Sequence, residues 1–317
     1  MSRNLVLALS GGVGGAKLAL GLSRILPAEE LLIVANTGDD FEHLGLAISP
    51  DLDTLMYTLA GLDNPETGWG VRGESWNFMA ALQALGGETW FRLGDRDLAT
   101  HIERTRRLRA GESLTAITRD LCRRLGILPR IIPMSDDTVR TRLRTGEGWL
   151  DFQEYFVRAQ CRPEVSEIVF DGAATARPHP EFIAALSDPR LRAIVICPSN
   201  PFISIEPILA LPGVRTALRA TAAPVVAVSP IIAGAAVKGP TAKLMRELGH
   251  DVSAAACARL YADFLDAYIV DHVDGAGATR LDIRVETAQA RMVTLADREA
   301  LARAVLAAAD RAAELVA

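Results

Sequence analysis

The chain has 317 residues, of which 50% are hydrophobic and 23% charged, and its formal net charge is −5. This length is enough for one large α/β domain or two small ones. No apolar run approaches the length of a membrane span, and the N-terminus lacks the layout of a signal peptide. These features predict a cytoplasmic protein without a membrane partner.

The cysteines indicate a reducing compartment. Four are present, widely spaced and in no metal-binding or redox pattern: Cys122, Cys161, Cys197 and Cys257. All except Cys161 lie in apolar periodic segments, so we expect the other three to be buried thiols.

The charge distribution has one local exception. Residues 92–144 hold 13 arginines against 7 acidic residues, although the whole chain is acidic. These arginines alternate with acids at helical spacing, and aromatic residues for base stacking are nearly absent. We therefore expect no nucleic acid partner and favour an anionic small molecule.

The N-terminal strand runs directly into a glycine-rich loop. Residues 4–9 (NLVLAL) predict a buried strand, residues 10–17 (SGGVGGAK) form the loop, and a helix then extends to about Leu26. The exposed amides at such a helix start make an anion site, and phosphate is the expected anion. The loop is not a P-loop, because no Lys-Ser/Thr pair follows its last glycine. Nor is it a full dinucleotide fingerprint, because Lys17 stands where a third glycine would pack helix on strand.

An acidic stretch follows the second predicted strand, residues 31–35. Residues 36–53 (NTGDDFEHLGLAISPDLD) contain four aspartates, and the Ser-Pro pair within them predicts the start of a helix. Asp39 and Asp40 therefore lie beyond the carboxyl end of a strand, where open α/β sheets bind ligands. Mg²⁺ with phosphate would balance such a cluster, although a capping role explains any single aspartate about equally well.

The spacing of the later two aspartates limits a shared metal site. Asp51 and Asp53 are two residues apart on a predicted helix, so their side chains cannot face the same way. At most one of them should share a metal with Asp39.

A further polar cluster follows residues 90–93, which we predict to be a short strand. Arg92 lies inside this apolar segment and would need a partner there. Asp97 and His101 come next, and each has an ordinary interpretation, as a helix N-cap and as a packed histidine.

The alternation of strands and helices is interrupted once. Residues 138–185 depart from it and predict a smaller inserted subdomain, whereas 1–137 and 186–317 predict a Rossmann-like core. The fold class expected is α/β, with a mostly parallel sheet flanked by helices.

Lysine is rare in this chain. Only three of the 34 basic residues are lysines, Lys17, Lys238 and Lys243, and all lie in or beside glycine loops that precede helices. Lys243 falls in a first helical turn, where the macrodipole disfavours a cation unless an anion is bound. We hypothesise that lysines were kept where phosphates bind, against the alternative of chance placement.

Seven motifs taken in chain order resemble those of the 2-phospho-L-lactate transferase family. They are SGGVGGAK (10–17), NTGDD (36–40), SPDLDT (49–54), LGDRD (93–97), MSDD (134–137), PSNP (198–201) and SPII (229–232). The resemblance implies an Mg²⁺-dependent enzyme of coenzyme F-420 biosynthesis, usually a homodimer. Such an enzyme transfers a phospholactyl-type group from a guanosine diphosphate-linked donor to the terminal hydroxyl of the deazaflavin Fo, and GMP leaves.

The resemblance also implies roles for individual residues. Asp39 and Asp53 are expected to bind Mg²⁺ and to be the catalytic residues. Asp53 and Arg92 are expected to bind Fo. Asp53 is further expected to orient or deprotonate the Fo hydroxyl. The loop glycines and the Ser-Asn turn should hold the guanosine diphosphate, and the lysine hypothesis adds two more residues: Gly11, Gly12, Gly14, Gly15, Lys17, Ser199, Asn200 and Lys243.

Two alternatives compete with this function. A regulatory relative of the same superfamily would bind a nucleotide sugar without transfer, but it lacks the SPDLD and GDRD motifs. An NAD-dependent oxidoreductase would use Asp39 or Asp40 on the ribose, and Lys17 and the surplus of acids argue against it. Within the transferase interpretation, phospholactate, phosphoenolpyruvate and 3-phosphoglycerate all stay open as the acid of the donor.

Overall fold

The computed structural model describes residues 3–278 and 283–316. Its centre is a seven-stranded parallel sheet with helices on both faces, which confirms the predicted α/β class. In chain order, the strands are β1 (Leu5–Ser10), β2 (Leu31–Ala35), β3 (Phe41–His43), β4 (Leu46–Ile48), β5 (Arg130–Pro133), β6 (Arg140–Thr145), β7 (Gly148–Asp151), β8 (Val165–Asp171), β9 (Leu191–Ile196), β10 (Val225–Val228), β11 (Ile231–Ile232), β12 (Ala235–Ala236), β13 (Ala267–Asp271) and β14 (Arg284–Ala288).

The helices connect and cover these strands. In chain order they are α1 (Gly12–Ile25), α2 (Pro50–Leu59), α3 (Asn77–Ala84), α4 (Asp95–Arg109), α5 (Leu114–Arg124), α6 (Pro180–Leu186), α7 (Glu206–Leu209), α8 (Val214–Ala220), α9 (Thr241–Glu247), α10 (Ala254–Arg259), α11 (Gly275–Ala278) and α12 (Leu295–Val316). Within the described residues, no helix is both long and apolar enough to span a membrane.

The order of strands in the main sheet is β14-β13-β10-β9-β1-β2-β5. The chain moves from β1 to one side through β2 and β5, and later returns to the other side through β9. The order therefore reverses between β1 and β9, and ligands of open α/β sheets bind beyond the strand ends at such a point. The glycine loop after β1 and the PSNP turn after β9 meet there.

Apolar side chains form one core on each face of this sheet. Val6 and Ala8 of β1 belong to the core beneath α1, α2 and α12, whereas Leu7 and Leu9 belong to the opposite core. This alternation follows from the two-residue period of a strand. Because both faces are covered, the strands are almost continuously apolar, as is typical of a parallel sheet.

A smaller antiparallel sheet lies within residues 138–185. Its strand order is β7-β6-β8. Leu143 and Tyr155 form its core together with Leu244 of α9 and Ile203, which belong to the main part of the chain. These contacts place the small sheet beside the carboxyl edge of the main one.

The structure departs from the sequence prediction at residues 90–93, which form no strand. Trp90 and Phe91 instead pack individually on Phe41 of β3, with ring centroids 6.1 and 4.8 Å away. Their apolar character therefore reflects an aromatic cluster and not a buried sheet. Cys122, Cys197 and Cys257 are buried free thiols, as expected.

Candidate active site

The glycine loop is shaped by close packing as much as by its turn. Gly12 has a φ of +65°, which disfavours any residue with a side chain. At Gly14, a Cβ would stand 2.3 Å from the carbonyl oxygen of Pro198. The glycines therefore have steric roles of their own, and their number alone is not a sign of phosphate binding.

Two amides of this loop already have acceptors within the protein. Gly11 N donates to Ser199 Oγ at 3.1 Å, and Gly12 N donates to Asp51 Oδ1 at 2.7 Å. Ser199 thus lies against the glycine loop. Asn200 caps the following turn through its oxygen, and its Nδ2 is a buried donor without a hydrogen-bond partner in the described parts of the chain. The Nδ2 of Asn200 is therefore one donor available at the strand switch point.

Asp51 is a structural partner of the glycine loop. Its second oxygen accepts a hydrogen bond of 2.9 Å from Asn36 Nδ2, in addition to the bond from Gly12. Burial raises the pKa of Asp51 to about 6, although both hydrogen bonds act in the opposite direction. This carboxylate ties the end of β2 and the start of α2 to the loop after β1.

Asp39 and Asp40 are buried carboxylates with incomplete hydrogen bonding. Each has one oxygen, Oδ1, that is buried and has no partner among the described residues. Burial and then the charge of Asp51 raise the pKa of Asp39 well above its ordinary value. Burial raises the pKa of Asp40 to about 7, against the opposing charge of Arg140 and the hydrogen bond from Ser49.

Both aspartates line a cavity of about 250 Å³ between the carboxyl edge of the main sheet and the inserted strands. Aromatic rings supply part of the wall, and acids supply most of its charge. The lining residues are Gly38, Asp39, Asp40, Phe41, Glu42, Trp90, Arg140, Thr141, Asp151, Phe152, Gln153 and Glu154. Arg140 is the one cation among them.

Asp53 is at the centre of a second buried network. Arg104 donates to both of its oxygens, with Nη1 to Oδ2 at 3.0 Å, and both side chains are buried. His101 Nδ1 lies 3.6 Å from Asp53, and His101 Nε2 lies 3.3 Å from Asp97. Tyr57 donates to Asp97 at 2.7 Å. Asp97 and His101 therefore belong to an extended polar network, beyond the capping and packing roles that each could have alone.

The structure does not bring Asp39 and Asp53 into one close group. Among the described residues, the group of three possible metal ligands within 4.8 Å consists of Asp53, Asp97 and His101. Asp39 instead interacts with Asp51 through charge, whereas Asp53 acts on Asp40. Asp39 is thus not part of the three-residue group around Asp53, and the charge of Asp40 acts on Asp39 as that of Asp53 acts on Asp40.

Two arginines of this region, Arg104 and Arg140, are not indicated by any motif in the sequence. Arg104 resembles the exposed arginines around it on α4, but it is only 1% exposed. The helical period does place Arg104 on the buried face of α4, because Arg104 lies one turn after His101. No comparable signal marked Arg140, whose position depends on how the inserted sheet packs.

Arg92 does not occupy the buried position that its neighbours suggested. The side chain is exposed, and its guanidinium carbon lies 4.0 Å from the centre of the Trp76 ring. This stacking on an indole supplies the partner that the sequence led us to expect in a core.

Lys243 also differs from its expected setting. Its ammonium forms an ion pair with Glu247 at 2.5 Å and donates to the Pro163 carbonyl at 2.7 Å. The unfavourable position in the first turn of α9 is therefore offset within the protein, and no phosphate is needed to explain it.

Comparison with known proteins agrees with these motifs. The profile of the family described as 2-phospho-L-lactate transferase CofD matches residues 6–309. A phosphoenolpyruvate transferase of Kitasatospora aureofaciens is 40% identical over 96% of this chain and 98% of its own. A 2-phospho-L-lactate transferase of Methanosarcina mazei is 42% identical over 84% of this chain and 87% of its own.

A solved structure shows the same fold at low sequence identity. It is a UPF0052 family protein from Bacillus halodurans, with a TM-score of 0.67, 13% identity, and coverage of 96% of this chain and 99% of that one. The family match extends over nearly the whole chain, and both curated relatives exceed 30% identity over most of it. The chain therefore belongs to the 2-phospho-L-lactate transferase family.

Proposed function

We propose that this transferase moves a phospholactyl-type group, from 2-phospholactate or phosphoenolpyruvate, onto the terminal hydroxyl of the deazaflavin Fo. The donor is the guanosine diphosphate-linked acid, GMP is released, and the product enters coenzyme F-420 biosynthesis. Besides family membership, one structural observation supports this proposal. Asp39 and Asp40 line a cavity at the carboxyl edge of the sheet, and each has a buried oxygen without a hydrogen-bond partner among residues 3–278 and 283–316.

The reaction itself is a displacement at phosphorus. The oxygen of the Fo hydroxyl forms a bond to the phosphorus that carries the three-carbon acid. The bond from that phosphorus to the bridging oxygen breaks, and the electron pair leaves with GMP. The hydroxyl proton passes to a carboxylate. Such a reaction depends mainly on positioning the two substrates and neutralising charge.

The residues around the cavity fit a magnesium ion. Oxygen ligands from one or two carboxylates suit Mg²⁺, and the orphaned oxygens of Asp39 and Asp40 supply them. Asp53, the second expected ligand, uses both oxygens to accept from Arg104, so we place the metal chiefly on Asp39. An ion held there would neutralise charge on the diphosphate and on the leaving GMP, and would reduce the repulsion among the buried carboxylates.

Asp53 is proposed to act on the Fo hydroxyl. Each carboxylate oxygen has two lone pairs, so the two bonds from Arg104 leave acceptor sites for a further donor. Arg104 fixes the orientation of this carboxylate, and His101 supports it from the other side. In this arrangement Asp53 accepts the hydroxyl hydrogen bond and directs the oxygen towards phosphorus.

The nucleotide is proposed to bind at the glycine loop. The first turn of α1 leaves N–H groups without helical partners, and Lys17 lies one turn further along. Ser199 braces the loop, and the buried Nδ2 of Asn200 offers a hydrogen bond to an acceptor. Guanosine diphosphate would thus lie beyond the ends of β1 and β9.

For the deazaflavin we propose Arg92. Its guanidinium already stacks on Trp76, and it can also bond to carbonyl oxygens of a planar ring system. Fluorescence tests this assignment and the alternatives together. Purified protein should bind Fo and leave NADH emission unchanged, whereas NADH binding without Fo binding would contradict the proposal. By family resemblance the active form is a homodimer, which light scattering measures.

A further inference from the structure

Three arginines of β6 lie on one face of the inserted sheet, because they are spaced two residues apart. Arg142 pairs with Asp171 of β8 at 3.3 Å, and Arg144 pairs with Glu167 of β8 at 3.4 Å. Arg140 forms no ion pair with any residue that the structure describes, although the strand register sets Asp171 opposite it. The inserted sheet therefore neutralises two of these arginines and leaves Arg140 to act elsewhere.

Arg140 lines the cavity that also contains Asp39 and Asp40. Its Nη1 donates to the Val139 carbonyl at 2.8 Å, which is the one hydrogen bond of this guanidinium within residues 3–278 and 283–316. The other N–H groups are therefore available to a ligand. The charge of Arg140 lowers the pKa of Asp40, against the larger effect of burial, so it reaches the carboxylates that are proposed to face the metal.

Part of the acidic charge around the cavity is already balanced within the protein. Asp151 pairs with Arg142 at 3.2 Å, and Glu154 lies 3.6 Å from Arg158. In the proposed function a magnesium ion balances the two buried aspartates. Glu42, at an exposed position, is the one remaining acid among the lining residues that the structure describes. An anion beside Arg140 would thus meet less repulsion than the number of acids suggests.

The remaining wall suits a short carbon chain. Phe41, Trp90 and Phe152 contribute aromatic side chains, and the cavity volume of about 250 Å³ equals that of about eight water molecules in the liquid. The three-carbon acid of the donor combines a few carbon atoms with one carboxylate. That carboxylate is the one anionic group of the donor for which neither the glycine loop nor the metal accounts. An arginine is well suited to it, because a guanidinium can donate two parallel hydrogen bonds to a carboxylate.

We propose that Arg140 binds the carboxylate of the three-carbon acid in the donor, with the aromatic wall around the carbon atoms of that acid. The inference rests on the proposed function and extends it, because it assigns a residue to the part of the donor that GDP lacks. It makes Arg140 a specificity-determining residue on the inserted sheet, and it predicts that a donor without the carboxylate binds less tightly.

Binding measurements on the full chain test this assignment. The ligands are the guanosine diphosphate-linked phospholactate and the ethyl ester of GDP on its terminal phosphate, which keeps the diphosphate ester and lacks the carboxylate. Calorimetry with Mg²⁺ and without Fo measures both affinities in the absence of transfer. The wild type should bind the acid-bearing ligand about tenfold to a hundredfold more tightly than the ethyl ester, as expected for charge-assisted hydrogen bonds. Arg140→Met should reduce this ratio to less than about twofold, because its effects on the diphosphate and the metal cancel in the ratio.

Arg144→Met is the matched control, since it removes an exposed arginine from the same strand and the same face. It should keep the wild-type ratio of the two affinities. Arg140→Lys should keep part of this ratio, because the positive charge remains without the planar fork. Melting temperatures of the ligand-free variants show whether they fold, and Arg140→Gln takes the place of Arg140→Met if the latter does not.

Several results would overturn the assignment. A wild-type ratio near one would do so, as would an unchanged ratio in Arg140→Met or Arg140→Gln, or an equal loss in Arg144→Met. A transfer assay separates the two claims. Transfer to Fo with a ratio that does not depend on Arg140 contradicts the assignment alone, whereas an Arg140-dependent ratio without transfer contradicts the proposed function alone. A folded wild-type protein that binds neither ligand contradicts both.

Discussion

The Arg104 guanidinium donates hydrogen bonds to both carboxylate oxygens of Asp53, and both side chains are buried. A buried ion pair of this kind does not by itself prove high stability, because both groups lose their hydration. Removing one partner lowers the stability strongly, because the other is left as an uncompensated buried charge. The pair therefore locks Asp53 in one orientation.

Arg104→Met should lower the free energy of unfolding by about 3–5 kcal/mol, because it leaves Asp53 buried without its partner. Urea denaturation measures this loss. The double variant Arg104→Met/Asp53→Leu should recover part of it, since no isolated charge stays behind. A loss below about 1 kcal/mol in the single variant would mean that Asp53 is held by other groups.

Asp40 should make the metal-free protein less stable as the pH rises. Its pKa in the folded chain is about 7, against about 3.9 for an unfolded aspartate. Between these values the folded state keeps a proton that the unfolded state releases, so the unfolding free energy falls with rising pH. The contribution is complete below pH 4 and lost above pH 7.

The variant Asp40→Asn isolates this effect. Melting temperatures of the variant and the wild type are measured in EDTA at pH 5 and pH 8. The variant minus wild-type difference should be more positive at pH 8, because the effects of the other titrating groups cancel in this difference. Asp251→Asn, at an exposed position, is the control and should show the same difference at both pH values. A constant difference for Asp40→Asn would show that Asp40 is already ionised at pH 5.

The main sheet could be predicted because its signals are local. The strands β1 and β2 are short apolar runs, and each is followed by a glycine or aspartate motif. The error at residues 90–93 has the opposite cause. Trp90 and Phe91 are apolar because of Phe41, which is about 50 residues away, and periodicity carries no information on such contacts.

The sequence indicates the acidic residues of the candidate site more completely than the basic ones. Asp39 and Asp53 follow strand and helix signals, but the partner of Asp53 lies 51 residues later on α4. The rarity of lysine marks Lys238 in the sequence, yet only the fold brings its ammonium group to Gly68 beside Val13. Long-range pairing of this type depends on the tertiary structure.

Magnesium should stabilise the protein through Asp39. At a concentration of about 100 times the dissociation constant, Mg²⁺ should add about 2.7 kcal/mol to the unfolding free energy. Asp39→Asn should abolish this gain and the transfer activity, whereas Asp251→Asn should retain both. Equal stabilisation of Asp39→Asn by Mg²⁺ would place the metal elsewhere.

Arg92 distinguishes the acceptor from the donor side of the site. Arg92→Ala should weaken Fo binding by about 1.5–3 kcal/mol, the range for hydrogen bonds to charged groups, and leave GDP affinity near wild type. Arg92→Lys should recover little, because an ammonium lacks the planar fork that stacks on Trp76. Fluorescence titration of Fo, with GDP calorimetry in parallel, gives both values. Loss of GDP affinity with normal Fo binding would place the two substrates the other way round.

The most direct measurement is the transfer reaction itself. Purified protein is incubated with Fo, Mg²⁺ and one of three guanosine diphosphate-linked donors. The acid of the donor is phospholactate, phosphoenolpyruvate or 3-phosphoglycerate. The products are identified and quantified by mass spectrometry. With the phospholactate or phosphoenolpyruvate donor we expect equal amounts of GMP and of Fo bearing the phosphorylated acid, and we expect neither product with Asp39→Asn. A folded wild-type protein that binds these donors and Fo, but releases no GMP and leaves Fo unmodified, would contradict it.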